Sequence, residues 1–233
     1  MHDDSRPRRH YRLVADQVLA LVTAQGMTAG MRLPSERDLA EQIGVSRPSL
    51  REALIALEVG GIIEIRMGSG IYLSANPSLT AGMSLEDEDG PFEILQARCI
   101  LESGIAEEAA RHVTPELIRR LDDNLAKMAE VIADRPRAII VDGQFHIAVA
   151  SAIGNGVVTH LTAEIFQRRL SAHYARLSTF FERPDTWRAA LDEHHTIRDA
   201  IADRDPDAAR AAMRDHLLKS QERFSANFAA EPA

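Results

Sequence analysis

The sequence predicts a mainly α protein in two parts: a short helical unit closed by a β-hairpin, then an all-α helical bundle. Three observations carry this. Aromatic residues are only 5% of the 233, against 45% hydrophobic and 27% charged, a balance that suits packed helices better than a β-sandwich. Apolar residues recur at helical spacing through most of the chain. β-rich runs are confined to "IIEIRMGSGIYLS", where Gly68-Ser69-Gly70 splits two short segments in the manner of a hairpin.

The elements follow in order. In "YRLVADQVLALVTAQG", Leu13, Val14, Val18, Leu21 and Val22 mark one helix face and Gly26 supplies the stop. Ser35 is placed to cap a second helix, with Asp38 three residues later in a capping-box arrangement, and that helix ends at Gly44. Ser46 caps a third, which tolerates Pro48 in its first turn and buries a stripe of Leu50, Leu54 and Leu57 before Gly60-Gly61. Helix, helix, tight turn, helix and hairpin make a winged helix-turn-helix over residues 1–74. Residues 75–90, "ANPSLTAGMSLEDEDG" at their core, turn polar and acidic and read as a linker. Residues 91–233 carry only helical patterns. They are punctuated at Thr114-Pro115, Arg135-Pro136, Gly154-Asn155-Gly156, Arg183-Pro184 and Asp205-Pro206, which leaves room for five or six helices.

Charge and cysteine content bound the function. The net charge is −8, yet the first 76 residues balance nine arginines against nine acids, so the acidity belongs to the second part. Contact with nucleic acid depends on local charge, and this distribution does not exclude it. A single cysteine, Cys99, rules out an intrachain disulfide and points to a reducing compartment. The charged start "MHDDSRPRRHYRL" lacks an apolar leader core, and no apolar run approaches bilayer length. The expectation is a soluble cytoplasmic protein with no membrane partner.

Arg47 and Arg51 lie four residues apart on one face of the third helix, opposite its leucine stripe. The N-terminal half of such a helix enters the major groove, where arginine reaches guanine bidentately or clamps a phosphate. Arg37 in the second helix approaches the same backbone, Ser46 and Ser49 add short donors, and Arg66 stands beside the wing tip. Surface pairing with Glu36, Glu41 or Glu52 is the competing reading. The coincidence of these arginines with a helix-turn-helix and a wing outweighs it, and double-stranded operator DNA is the expected partner.

"LPSERDLAEQIGVSRPSLREALIALE" followed by "GIIEIRMGSGIYL" resembles the DNA-binding domain of GntR-family bacterial repressors. The resemblance implies that Arg37, Arg47 and Arg51 contact the operator, with the wing from Met67 through Ser69 to Gly70 assisting. Some relatives carry a polar residue or histidine where Met67 stands, so wing contacts here fall to backbone amides and Arg66.

In the second part, Asp142 and His146 of "DGQFH" are i and i+4 on a helix face shared with Ile139, Val149 and Ile153. Either a divalent metal or a mutual hydrogen bond satisfies such an inward pair. His194 shares a face with Leu191, Ile197 and Ile201, whereas His195 points to solvent. His216 lies on the face of Ala209, Ala212 and Met213. Three inward imidazoles and a carboxylate favour a metal site, with zinc first and nickel second.

"ARCILESGIAEEAA", "DGQFHIAVASAIGN" and "EHHTIRDAIADRDPDAARAAMRDHL" resemble the all-helical ligand-binding domain, FCD, of the FadR subfamily. Carried over by position, the resemblance makes Asp142, His146, His194 and His216 the metal ligands. It implies a small carboxylic-acid effector at the metal. Arg98 faces inward and either meets that effector or pairs with Glu102, and Asn155 lines the pocket. The DNA-binding half is most similar to regulators of hexuronate and related sugar-acid catabolism, which makes a sugar acid or hydroxy acid the expected effector class. A homodimer on a palindromic operator follows from the few base pairs one winged helix reads.

Two alternatives remain open at this level. A metal-dependent enzyme tethered to DNA would use an open zinc position to activate water, but no general base, nucleophile elbow or phosphate-binding glycine loop accompanies the ligands. A regulator whose metal is purely structural would need the metal for folding alone.

Overall fold

The structure, a computed structural model, describes residues 10–59, 61–66, 69–74, 91–170 and 184–226. The expected linker at 75–90, Gly60, and the wing residues Met67 and Gly68 lie outside the described residues. The chain divides into two compact units, residues 1–90 with 225–233, and residues 91–224.

In the first unit, α1 (His10–Ala24), α2 (Glu36–Ile43) and α3 (Arg47–Val59) precede β1 (Ile63–Arg66) and β2 (Gly70–Leu73). The caps are those the sequence places. Ser35 accepts from the Asp38 N–H at the start of α2, and Gly44 ends it with φ +75, a left-handed conformation that glycine adopts without strain. Ser46 Oγ accepts from the Ser49 N–H at 3.3 Å and so caps α3. Val18, Leu39, Leu50, Leu54 and Leu57 are fully buried and form the centre of the core. At roughly 1.5–3 kcal/mol for each large side chain removed from water, this stripe fixes α3 on α1.

The two strands pair antiparallel, with Ile63 opposite Leu73 and Arg66 opposite Gly70. Ile63, Ile71 and Leu73 face the core, while Glu64 and Arg66 face solvent. The segment before α2 adds a third edge: Arg32 bridges Tyr72, the Leu33 N–H donates to the Ile71 carbonyl and the Leu73 N–H donates to the Met31 carbonyl.

The second unit is all-helical. It comprises α4 (Pro91–Arg111), α5 (Pro115–Glu130), α6 (Arg135–Ser151), α7 (Gly156–Gln167), a 3₁₀ turn (Arg168–Leu170), α8 (Pro184–Ala202) and α9 (Pro206–Ala226). Each proline-initiated helix begins where its Xaa-Pro signal lies, and the Thr114 and Asp134 side chains cap α5 and α6 by accepting from the Leu117 and Arg137 N–H groups. Helix α4 packs on α6 and α8, and α5 packs on the same two. Cys99, Leu121, Phe145, Ile197 and Met213 lie in the resulting core. Among the described residues no helix is long and apolar enough to cross a membrane.

Glu58, in the last turn of α3, joins that helix to the wing by accepting from the Ile65 N–H at 2.8 Å. Burial pushes its carboxyl up to about 7, against the opposing pull of the Ile65 N–H, and Glu64 adds to the rise. A carboxyl that holds its proton longer in the folded state favours folding most below its unfolded value of 4.5. That contribution is lost as pH rises from there through about 7. Glu58→Gln keeps the acceptor oxygen and removes the titration. Hydrogen exchange of the α3 and β1 amides, corrected for intrinsic rate, is expected to show protection falling across this window in the wild type and a flatter profile in the variant. Identical profiles would remove Glu58 as the cause.

Candidate functional site

The first unit presents its arginines around the turn between α2 and α3. Arg37 and Arg47 are well exposed, and Arg47 Nε lies 3.1 Å from Glu36 Oε1. Arg51 differs from the sequence expectation. Its exposure is 8%, and its Nε lies 2.8 Å from the same Glu36 oxygen, close but poorly aligned for a hydrogen bond. Helix α2 covers the α3 face that periodicity alone assigns to solvent. Arg51 therefore ties the first turn of α2 to α3, and Arg47 is the guanidinium that stands outward. Ser46 and Ser49 are hydrogen-bonded to each other, Oγ to Oγ, at 2.8 Å. On the wing, Arg66 pairs with Glu64 at 2.9 Å and stacks over the Tyr72 ring, whose hydroxyl meets Ser69 Oγ at 2.8 Å.

In the second unit, α6 supplies Asp142 and His146, α8 supplies His194 and α9 supplies His216. All four are buried, with one ligand atom from each lying within 4.8 Å of the others. His195 is exposed, as its place in the helix repeat dictates. The outer edge of each imidazole is already occupied. His194 Nδ1 is 2.6 Å from the Ala190 carbonyl, which only accepts, so Nδ1 carries the proton. His216 Nδ1 is 2.8 Å from Glu193 Oε2, and His146 Nδ1 is 2.6 Å from Glu102 Oε2.

With protons on Nδ1 of His194 and His216, their Nε2 lone pairs face inward; His146 Nδ1 lies close to Glu102 but out of line for a hydrogen bond. The Nε2 atoms of His146 and His194 are only 3.2 Å apart, and His194 Nε2 is 3.4 Å from Asp142 Oδ1. Two ring nitrogens and a carboxylate oxygen at these separations need a shared cation among them, a proton or a metal. A tetrahedral site with bonds of about 2.0–2.1 Å has edges of about 3.3 Å, close to these two separations, while His146 Nε2 and Asp142 Oδ1 are 3.8 Å apart. The residues present therefore suit a divalent metal.

The surrounding charges hold the ligands in place. Burial opposes ionisation of Glu102, but Arg98, with Nε at 2.7 Å, and His146 hold its carboxyl well below the usual range. Burial likewise opposes Asp142, and Arg169, with Nη1 at 2.7 Å from Oδ2, is the strongest of the groups that keep it ionised. Glu193 is held at about 2, despite burial, by His216 and by Arg223, which donates to both carboxylate oxygens. Acceptors on the far ring nitrogen fix the tautomer and raise ligand basicity, the role of outer partners in metal sites.

Arg98 is thus bound to Glu102, one of the two roles the sequence left open, and it lies one residue away from the ligand His146. Asn155 is not placed at the cluster. It is exposed at the start of α7, where Oδ1 accepts from the Val157 and Val158 N–H groups as an N-cap. Arg169, Glu193 and Phe166 escaped the sequence reading. The Phe166 ring lies 5.3 Å from the Arg98 guanidinium and 5.1 Å from that of Arg169. It has room only because residue 143 is glycine: a Cβ there would sit 2.3 Å from the ring.

A winged helix-turn-helix joined to a helical domain with a buried ligand cluster defines a two-domain regulator class. Comparison with known proteins agrees. Residues 10–73 match the model described as bacterial regulatory proteins, gntR family, and residues 93–219 match the FCD domain. The chain is 36% identical over 207 residues to the "Uxu operon regulator" of Haemophilus influenzae, covering 86% of this chain and 77% of that one. It is 33% identical over 231 residues to the "Uxu operon transcriptional regulator" of Escherichia coli, covering 96% and 90%. It is 34% identical over 220 residues to the "Putative L-lactate dehydrogenase operon regulatory protein" of Escherichia coli, covering 91% and 84%. The chain belongs to the gntR family of bacterial regulatory proteins, with an FCD domain as its second part. It is a DNA-binding transcriptional regulator and not an enzyme.

Gly143→Ala tests the packing behind the cluster. Overpacking against Phe166 is expected to cost about 1–3 kcal/mol, against roughly 1 kcal/mol recovered from helix propensity. Trp187 packs in the same cluster as Phe166 and reports the unfolding by fluorescence. A midpoint at or above the wild-type value would remove the steric requirement.

Proposed function

We propose that the chain is a cytoplasmic repressor that binds a palindromic operator as a two-fold dimer and is released by a small carboxylic acid at a metal in its second unit. Arg37, Arg47, Ser46 and Ser49 approach the operator through α3 and the α2 start, Arg51 holds α3 against α2, and Arg66, Ser69 and Gly70 form the wing contact. Asp142, His146, His194 and His216 hold the metal, zinc first and nickel second. The observation that carries this reading is the convergence of three imidazoles and Asp142 in a buried site, with one ligand atom from each within 4.8 Å of the others.

The metal would supply Lewis acidity toward an effector oxygen. The chain's own residues do the rest: Arg98 and Arg169 set positive charge beside the cluster, and Phe166 keeps both guanidiniums in place. The relatives support an acid as effector, since one is named for an L-lactate dehydrogenase operon and the DNA-binding half resembles regulators of sugar-acid catabolism. Effector binding alters operator affinity only by favouring one arrangement of the paired DNA-binding units over another.

Thermal unfolding of metal-loaded and chelator-stripped protein against hydroxy, keto, dicarboxylic and sugar acids tests the sensor. One acid class is expected to raise the midpoint with concentration, and only in the loaded protein. Stabilisation by metal alone, with no acid effective, would make the metal structural. Metal content checks the ligand set. His194→Ala is expected to fall well below one metal per chain and His195→Ala to keep about one. The reverse result would move the site.

A further inference from the structure

Every other described arginine of α2, α3 and the wing stands beside a carboxylate. Arg37 lies near Asp38, Arg47 and Arg51 near Glu36, and Arg66 near Glu64. Among the described residues, Arg32 has no hydrogen-bond or ion-pair partner for its guanidinium. Its backbone bridges Tyr72, which sets its side chain on the face of the wing that also carries Tyr72, Glu64, Arg66 and Gly70. That face is the outer one, because Ile63, Ile71 and Leu73 alternate with it and are buried.

The guanidinium is spread over Gly70. A Cβ built on Gly70 would lie 2.6 Å from Arg32 Nε, 3.1 Å from Nη2 and 3.2 Å from Cζ. Gly70 also has φ +123, a conformation that side-chain-bearing residues rarely take. The glycine therefore supplies both the backbone turn at the wing and the flat bed on which the arginine lies. Arg66, opposite Gly70 in the strand register, lies across the Tyr72 ring with Cζ 4.4 Å from its centroid. Two guanidiniums thus flank one glycine on an exposed face, and of the two only Arg66 has a carboxylate partner among the described residues. A planar cation held flat is suited to a phosphate oxygen, which arginine binds with parallel N–H donors.

We propose that Arg32 is a further DNA-contacting residue, which binds a backbone phosphate from the wing face while Gly70 holds its guanidinium in place. This rests on the reading of α3 and the wing as the DNA interface. Its contribution is independent of base sequence and falls with salt.

The probes are a duplex selected from a random-sequence library with the wild-type protein, and an unselected duplex of the same length. Arg32→Gln keeps the alkyl stem and removes the charge. It is expected to weaken binding to both duplexes and to flatten the dependence of log affinity on log salt by about one unit, while Arg32→Lys keeps the wild-type slope. An unchanged slope in Arg32→Gln, with Arg47→Gln weakened, overturns the proposal and leaves the α3 interface standing. No change in either variant overturns both. A second measurement uses the unaltered protein: the selected duplex is expected to protect Arg32 from phenylglyoxal, read by peptide mass. Equal modification with and without duplex overturns the proposal whatever the variants do.

Discussion

The placement of acceptors on the far side of three buried imidazoles is the constraint on which the second unit depends. The Ala190 carbonyl and Glu193 engage Nδ1 of His194 and His216, whose inward lone pairs follow from that, and Glu102 lies 2.6 Å from Nδ1 of His146. Two of these acceptors are carboxylates that are costly to bury, so each needs its own cation: Arg98 for Glu102 and Arg223 for Glu193. Asp142 needs Arg169 in the same way. The arginines are thus consequences of the histidines. Phe166 packs against two of them, and the bare backbone of Gly143 makes space for Phe166.

The first unit solves a smaller version of the same problem. Glu36 lies in the first turn of α2, where the helix dipole favours a negative charge. One of its oxygens meets guanidiniums from two successive turns of α3. A single carboxylate thereby sets the approach of the two helices and leaves Arg47 outward. Loss of Glu36 would alter the angle of α3 as well as the local charge.

Helix boundaries were legible in the sequence because their causes are local. Ser35, Thr114 and the Xaa-Pro steps act on neighbours within four residues, and the structure places helices where those signals lie. The inward histidines were legible for the same reason, since a helix repeat separates His194 from His195. The outer partners were not. Arg169 reaches back 27 residues to Asp142, and Glu193 meets Arg223 across 30, distances over which a charged residue reads as solvated. The burial of Arg51 was not legible because its own helix assigns it to solvent, and only the packing of α2 covers it. Asn155 was read only as a pocket residue, and the local N-cap role it plays next to glycine was missed.

The metal-compatible residues begin at Asp142 and are completed only by His216, 74 positions later in the chain. The last strand of the winged unit ends at Leu73, so 143 residues separate its completion from the final ligand. At roughly 5–20 residues per second of synthesis, that gap lasts on the order of 7–30 s. The described core of the winged helix-turn-helix is drawn from residues between Val14 and Leu73, whereas the cluster needs α6, α8 and α9 together. A nascent chain therefore completes the core of its winged helix-turn-helix well before it completes the metal-compatible cluster.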